Sequence, residues 1–479
     1  MTGIISNVRF VKGSGIYTGS FTPSTSPFTD PTTSGELSAY FDGSGDYLAI
    51  PASTDLDLGT GNFTIEFWAY VTNDITSDTT NQMAISATHT TGRYINFRDG
   101  STYGRIQITV GGQDYNINLN SNPRNAWHHF AVVRQSSTVV ELFYDGASMG
   151  TITVGASEDF DLSNGGSNEC RIGAWYNGGY PFYGYLSNFR IIKGTALYTS
   201  TFTPSTSPLT TTSQSATASE VKLLTCQSKI FSDESNSSHP ISINGDARIS
   251  EFGPFGDGYW SNYFDGNGDS LEIANSTDFK FGTGDFTIEC WLFPTVSTQQ
   301  SYAIVVKCAA NSNWTGGWAI AFQNSPNNGK TSFWVNNSQL IGSGTALNQN
   351  QWNHIAVTRS GSTTNLYQNG SRVATATNSY DFQPTQALTI ASDLTHTAYE
   401  YQGYIKDLRI LKGTALYTGA SLTEPTANLG KITNTVLLTC QSNRFIDNSD
   451  SAHSISVGAG TPQVSELIPF EYLQRQTKL

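Results

Sequence analysis

FTIEFWAYV, residues 63–71, alternates with a period of two. Phe63, Ile65, Phe67, Ala69 and Val71 fall on one face and Thr64, Glu66, Trp68 and Tyr70 on the other, which is the pattern of a strand. Its β-branched and aromatic side chains suit a pleated, half-buried surface. Working outward, VELFYDGASMG (140–150) reads as a hairpin with Asp145-Gly146 at its tip, and LYQNGSRVA (366–374) repeats it with Asn369-Gly370. Both dipeptides suit the positive φ angles of a two-residue turn. No stretch carries a helical period long enough for a core helix. Many short strands joined by Gly and Asn turns imply two antiparallel sheets packed face to face. The expected fold class is all-β, as two tandem β-sandwiches.

The tandem arrangement follows from self-comparison. YFDGSGDYL (40–48) matches YFDGNGDSL (263–271) at an offset of 223, and FTIEFW (63–68) matches FTIECW (286–291) at the same offset. WHHFAVVR (127–134) and WNHIAVTR (352–359) differ by 225, and FRIIKGTALYT (189–199) and LRILKGTALYT (408–418) by 219. The small drifts fall between motifs, where loop insertions belong, so one module of roughly 180–200 residues occurs twice. The division expected is a first sandwich at 30–210, a Ser/Thr-rich linker at 211–220, and a second sandwich at 221–428. VRFVKGSGIYT (8–18) makes residues 1–29 resemble a module-closing segment. TVLLTCQSNRF (435–445) resembles VKLLTCQSKIF (221–231), so residues 429–479 resemble a module-opening segment. A sandwich lacking its opening strand exposes a sheet edge that must be covered. Residues 435–470 are therefore expected to pack onto the first module, by folding back or by reaching a neighbouring subunit.

Composition bounds the partners. Of 479 residues, aromatics make up 12% and charged residues only 13%, with 45 glycines, as in a β-rich globular chain. A net charge of −13 argues against nucleic acid and anionic membranes, both of which call for a basic surface. No apolar run approaches the length of a membrane span. MTGIISNVRF has neither a basic start nor an apolar core, so the expectation is synthesis in the cytoplasm without a signal peptide. Five cysteines without close spacing give no disulfide framework. Cys290 stands where the first module has Phe67, as a small core residue.

The ordered set of G-x-G-D-Y-L, FTIE-x-W, W-x-H-x-A-V-x-R, a hairpin and G-Y-L-S-N-F-R-I-x-K-G resembles the laminin-G-like, concanavalin A-like jelly roll. That resemblance covers both modules and implies about a dozen strands each, with rim loops that bind glycans, proteins or calcium. The variant carrying KGTALYT, TFTPSTSPL and LLTCQS is similar to repeats in structural proteins of marine bacteriophages, especially those of cyanobacteria. Fold alone selects none of these functions.

Catalytic patterns are missing. Glycosidases on sandwiches place carboxylates two apart on one strand, and no E-x-D-x-E or comparable strand occurs; HExxH, GxSxG and a phosphate loop are also missing. Glu66 and Glu289 stand as lone acids and read as structural. His129 and His354 read as hydrogen-bonded core histidines beside the recurring tryptophans Trp68, Trp127, Trp291 and Trp352. The candidate glycan contacts are aromatics found in one module only: Trp175, Tyr176, Tyr180 and Tyr183 in AWYNGGYPFYGY (174–185), and Trp314 and Trp318 in NSNWTGGWAI (311–320). Exposed rings stack on sugars, and these could equally cover a sandwich edge or a subunit contact. Asp42, Asp46, Asp265 and Asp269 form short acidic turns that could hold calcium, the one candidate ion. Asp beside Gly is also ordinary turn chemistry, and that reading is preferred. No other cofactor is implied.

The expectation is a non-enzymatic structural protein of a bacteriophage particle, located on the virion and built into tail, capsid decoration or fibre. Its partners would be other virion proteins, host-surface glycans and further copies of itself. A bacterial or environmental surface lectin is the main alternative, and a glycan hydrolase the weaker one.

Overall fold

The computed structural model describes residues 37–469, apart from 73–81, 88–91, 99–102, 164–168, 251, 256–259, 297–302, 310–315, 323–328 and 396–398. The expected N-terminal segment 1–29 lies outside the described residues. The first sandwich consists of two sheets. One runs β10 (Ala147–Thr153), β9 (Val139–Tyr144), β8 (Trp127–Ser136), β3 (Phe63–Val71), β12 (Tyr183–Lys193), β1 (Ser38–Asp42) and β15 (Arg248–Ser250). A further strand, β13 (Val221–Thr225), also pairs with β12. The other sheet runs β14 (Ser242–Asn244), β2 (Tyr47–Pro51), β11 (Glu169–Ile172), β4 (Gln82–Ala87), β5 (Arg93–Arg98), β6 (Arg105–Val110) and β7 (Gln113–Asn118). The second sandwich repeats this order strand for strand, from Ser261–Asp265 to Gln463–Ser465. The described residues contain two single-turn 3₁₀ segments and no α-helix.

The period-two reading places the core. Phe63, Ile65, Phe67, Ala69 and Val71 are all fully buried between the sheets. Phe67 stacks on Phe130 and Phe189 at 5.7 and 5.0 Å. Each such ring contributes about 1.5–3 kcal/mol by leaving water. Cys290 takes the place of Phe67 in the second core, and all five cysteines are buried and unbridged. The Asp145-Gly146 turn has φ of 49° and 79°. A side chain at Gly146 would collide with the Phe202 carbonyl, so glycine is required there by space as well as by φ.

The other face of β3 is also buried, around one carboxylate. Glu66 Oε1 accepts from Arg190 Nε and Nη2 at 2.9 and 2.6 Å. Glu66 Oε2 lies 3.1 Å from His129 Nε2 and accepts from the Tyr198 hydroxyl at 2.9 Å. A carboxylate only accepts, so His129 carries its proton on Nε2. The second sandwich repeats the set with Glu289, Arg409, His354 and Tyr417 at 2.6–3.2 Å. Burial pushes the Glu66 carboxyl up, but His129 and Arg190 outweigh it and hold the group below its ordinary value. Three of the repeated phrases thus meet at one buried charge. The histidines lie in the core as expected, with His129 against Trp68 at 5.2 Å.

Strand pairing moves the expected module boundaries. Residues 211–220 do not link modules. They form a strap on the first sandwich, in which Arg190 Nη1 donates to the carbonyls of Thr210 and Ser213 at 2.6 and 3.1 Å. Ala216 packs there with Ile192, Leu209, Val221 and Leu224. The segment expected to open the second module instead closes the first, since β13, β14 and β15 pair with β12, β2 and β1. Likewise 435–465 pairs within the second sandwich, through Thr435–Thr439, Ile455–Ala459 and Gln463–Ser465. LLTCQS is therefore a closing phrase, and the first module has no missing strand for 435–470 to fill. The physical reason is the long bulged strand β12: β1 pairs with its first half, residues 183–186, and leaves the edge of its second half, residues 189–192, to β13. Chain contact between the modules occurs at the loop after Thr439, where Trp127 N donates to Asn443 O at 3.3 Å.

Candidate functional site

The sheet containing β4, β5 and β6 shows its second face to the outside. On β5 and β6, Ile95, Phe97, Ile106 and Ile108 point into the core. Tyr94, Asn96, Arg98 and Gln107 therefore point outward, and Asn96 sits directly opposite both Gln107 and Met83 in the ladder. Beyond β11 the chain turns sharply at residues 175–179. Trp175 N donates to Gly179 O and Gly178 N to Trp175 O, both at 2.8 Å. Tyr180 follows at φ 49°, and its carbonyl accepts from Met83 N at 3.0 Å. This pins the turn beside the sheet. The result is a cleft of ≈ 100 Å³ lined by Met83, Tyr94, Asn96, Arg98, Gln107, Trp175 and Tyr180.

The cleft pairs aromatic surface with polar groups. Trp175 lies edge-to-face against Tyr94 at 6.5 Å and tilted against Tyr180 at 5.3 Å. Tyr180 is 44% exposed, so part of the residue is open to a ligand. Arg98 Nη1 donates to Gln107 Oε1 at 3.0 Å, which orients both. Asn96 Oδ1 and Trp175 Nε1 are buried polar atoms without a hydrogen-bond partner among the described residues. Unpaired buried polar atoms are costly and call for a partner. Desolvation raises the Tyr94 hydroxyl above its ordinary value, so it stays protonated while touching Asp114.

The structure brings together some of the aromatics singled out in the sequence and separates others. Trp175 and Tyr180 line the cleft, and Tyr176 packs against Trp175 at 4.7 Å from outside it. Tyr183 does not belong there: it pairs with Asp42 at the end of β12. Trp318 is a correction, because it is fully buried in the second core and its Nε1 donates to Phe279 O at 3.2 Å. In WAIAF its period-two neighbours Ile320 and Phe322 are also core, which is why it faces inward. Trp314 lies outside the described residues. Tyr94, Asn96, Arg98 and Gln107 were missed, although RYINFR and RIQITV carry the alternation that turns them outward. In the second sandwich the positions of Asn96 and Gln107 hold Ala321 and Ser332. Trp334 covers Ala319 and Ala321 there and donates to Ser332 Oγ at 2.8 Å. The two outward faces are thus chemically different.

The acidic turns are built as tethers. Asp46 is buried, and its oxygens accept from Asp42 N at 3.0 Å and Asp246 N at 2.7 Å. That fastens the closing hairpin β14–β15 to the core. Asp269 does the same with Asp265 N and Thr461 N at 3.0 and 2.6 Å. Desolvation raises both buried carboxyls, Asp269 to about 6. Asp42, Asp46 and Asp246 bring one oxygen each within 4.8 Å of one another and are the residues that could hold a cation. In the second module Thr461 replaces Asp246, leaving Asp265 and Asp269. Backbone N–H groups already occupy both Asp46 oxygens, which answers to turn and tether chemistry.

A family profile described as the concanavalin A-like lectin/glucanases superfamily matches residues 42–197 and 265–416. The chain belongs to that superfamily, and one matched region falls in each sandwich, short of its closing strands. Among solved structures it is similar to domains LG4-5 of the mouse laminin α1 chain, at 10% identity and TM-score 0.29, covering 88% of this chain and 100% of that one. It is also similar to a SAP-like pentraxin of Limulus polyphemus, at 16% identity and TM-score 0.27, covering 33% and 77%. A third is the CBM40 of a Ruminococcus gnavus IT-sialidase bound to α2,3-sialyllactose, at 12% identity and TM-score 0.27, covering 34% and 95%. No curated protein matches the sequence.

Proposed function

We propose that this chain is a non-enzymatic glycan-binding protein whose first sandwich holds a sugar in the Trp175 cleft. The observation that supports it is the junction of aromatic rings with the unpaired Asn96 Oδ1 and Trp175 Nε1. Sugars present apolar C–H faces for a ring and hydroxyls for such atoms, so one ligand satisfies both. None of the seven lining residues carries a carboxyl group, whereas glycoside hydrolysis uses a pair. Glu66 and Glu289, the acids of the FTIE phrases, are sealed in the core and spent on arginine. The finer reading is a virion structural protein of a bacteriophage that adheres to host-surface glycans. It is supported by the likeness of the KGTALYT and LLTCQS phrases to phage structural repeats. A surface lectin would use the same cleft.

A glycan array probed with the native chain and with Trp175→Ala tests the binding. Spots that bind the native chain should lose about fivefold or more in signal with the variant, since a stacked ring supplies about a kcal/mol or more. Equal signals from both would overturn the assignment of the cleft. Mass spectrometry of purified virions tests the location.

A further inference from the structure

The two LLTCQS phrases lead into the same loop, and the loop has two environments. After Thr439 the residues Gln441, Ser442, Asn443, Arg444 and Phe445 are all buried. Phe445 reaches into the second core, and the first sandwich covers Asn443 and Arg444. The Arg444 guanidinium lies 5.0 Å over the Trp68 ring and 5.6 Å over Phe255. Asn443 exchanges hydrogen bonds with Trp127 N and Gly253 O, and Phe445 meets His128 at 6.4 Å. Val464 N donates to Asn125 O at 3.1 Å, and Ala126 joins the second hydrophobic core. After Thr225 the matching residues are Gln227, Ser228, Lys229, Ile230 and Phe231, and none is buried. Ile230, in the place of Arg444, is 69% exposed, the most open large apolar side chain among the described residues.

The receiving surface is also duplicated. Asn125 and Trp127 correspond to Asn350 and Trp352; both asparagines have positive φ, and each donates its N–H to the strand of the FTIE phrase, at Val71 O and Pro294 O. Yet Ala126 is fully buried and Trp127 nearly so, while Gln351 is exposed and Trp352 only half-buried. Phe293 and Tyr404 extend that patch, with rings 5.5 and 6.4 Å from Trp352. The chain therefore carries one filled plug-and-socket contact between its modules, an open plug on the first, and on the second a socket open at Gln351 and Trp352, where Trp291, the counterpart of Trp68, is buried.

We propose that copies of this chain join head to tail, with the Ile230 loop of one copy seated on the Asn350–Trp352 surface of the next. The occupant is a second copy because the complementary surface is already realised within the chain, between homologous elements. Plug and socket differ, so the contact is heterologous and generates rings or open filaments. Apolar and backbone contacts form it against a net charge of −13 per chain, so added salt strengthens it by screening repulsion.

Sedimentation velocity on the full chain tests this across a concentration series, at low and moderate salt. The native chain should pass from 51.9 kDa to larger species as concentration and salt rise. Ile230→Glu and Gln351→Glu each alter an exposed side chain, and each alone should remain at 51.9 kDa. Mixed one to one, the variants retain one good plug and one good socket, and should stop at two chains, 2 × 51.9 = 103.8 kDa. A native chain that stays monomeric throughout, or single variants that assemble like it, would overturn the proposal. So would a mixture that stays monomeric, which would mean that plug and socket do not meet each other.

Discussion

The Tyr198 hydroxyl donates to Glu66 Oε2 at 2.9 Å across 132 positions of chain, and Tyr417 makes the same bond to Glu289. This bond joins KGTALYT to FTIE, and with His129 and Arg190 it explains why phrases so far apart recur together. The glutamate charge is buried and fully engaged, so its loss strands Arg190 in the core. Glu66→Gln should cost the first sandwich about 3–5 kcal/mol, the usual penalty for breaking a buried pair from one side. Urea unfolding should show the first sandwich's transition displaced and the second's unmoved. The folded carboxyl titrates below its ordinary value, so its contribution is present above the unfolded pKa and is lost as pH falls through the folded one. Glu66→Gln should accordingly blunt the acid unfolding of that sandwich. Equal displacement of both transitions would contradict the picture of two separate networks.

Residues 221–250 belong to the first sandwich, and one carboxylate tests that. Asp233 accepts from Leu224 N, Ser235 N and His239 N at 3.0, 2.9 and 2.8 Å. Asp447 holds the matching loop with Leu438 N, Ser449 N and His453 N. Each Asp→Ala change leaves three donors without their acceptor, a loss of about 2 kcal/mol or more. Asp233→Ala should lower the melting of the first sandwich and Asp447→Ala that of the second. The opposite assignment for Asp233→Ala would restore 221–250 to the second module.

The sheet architecture was legible because alternation in FTIEFWAYV, the DG and NG turns and the internal repeat all carry a local signal. Strand partnership is not local. VKLLTC reads equally well as a first strand or a last one, and only its register against Phe189–Ile192 settles which. The site was legible in part for the same reason. Aromatics bunched with glycines mark a loop, so Trp175 and Tyr180 stood out. Asn96, Arg98 and Gln107 become a surface only when two strands lie side by side. Trp318 misled because a Gly pair precedes it, yet its own strand turns it inward.

The cleft makes a sharper claim than the aromatic loop as a whole. Asn96→Ala removes the unpaired acceptor from the floor, and Trp175→Ala removes the ring beside it. Both should weaken glycan retention about fivefold or more, as one lost ring or hydrogen bond costs about a kcal/mol or more. Tyr183→Ala, at the acidic turn, should bind as the native chain does. Affinity electrophoresis in glycan-containing gels reads all three. If Tyr183→Ala fails while Asn96→Ala binds normally, the ligand sits over the acidic turn instead.

The buried tether of the second sandwich sets a pH dependence of its own. Asp269 is buried by the turn it organises, and desolvation pushes its carboxyl to about 6; Asp407, buried beside Lys406, also rises to about 6. An unfolded aspartate titrates near its ordinary value of about 3.9. For a group raised on folding, the stabilising contribution is complete below the unfolded pKa and disappears as pH rises through the folded one. Melting of the second sandwich should therefore fall between about pH 4 and pH 6.5 and then level off. Glu400 is likewise raised by desolvation, so Asp269→Asn removes one of three raised groups and should reduce that slope in part, whatever it does to absolute stability. The slope is the decisive readout, because asparagine keeps one acceptor for Asp265 N or Thr461 N and loses the other. Scanning calorimetry of both chains across this window measures it. A slope unchanged by Asp269→Asn would place the titration elsewhere, with Asp407 and Glu400 as the remaining groups.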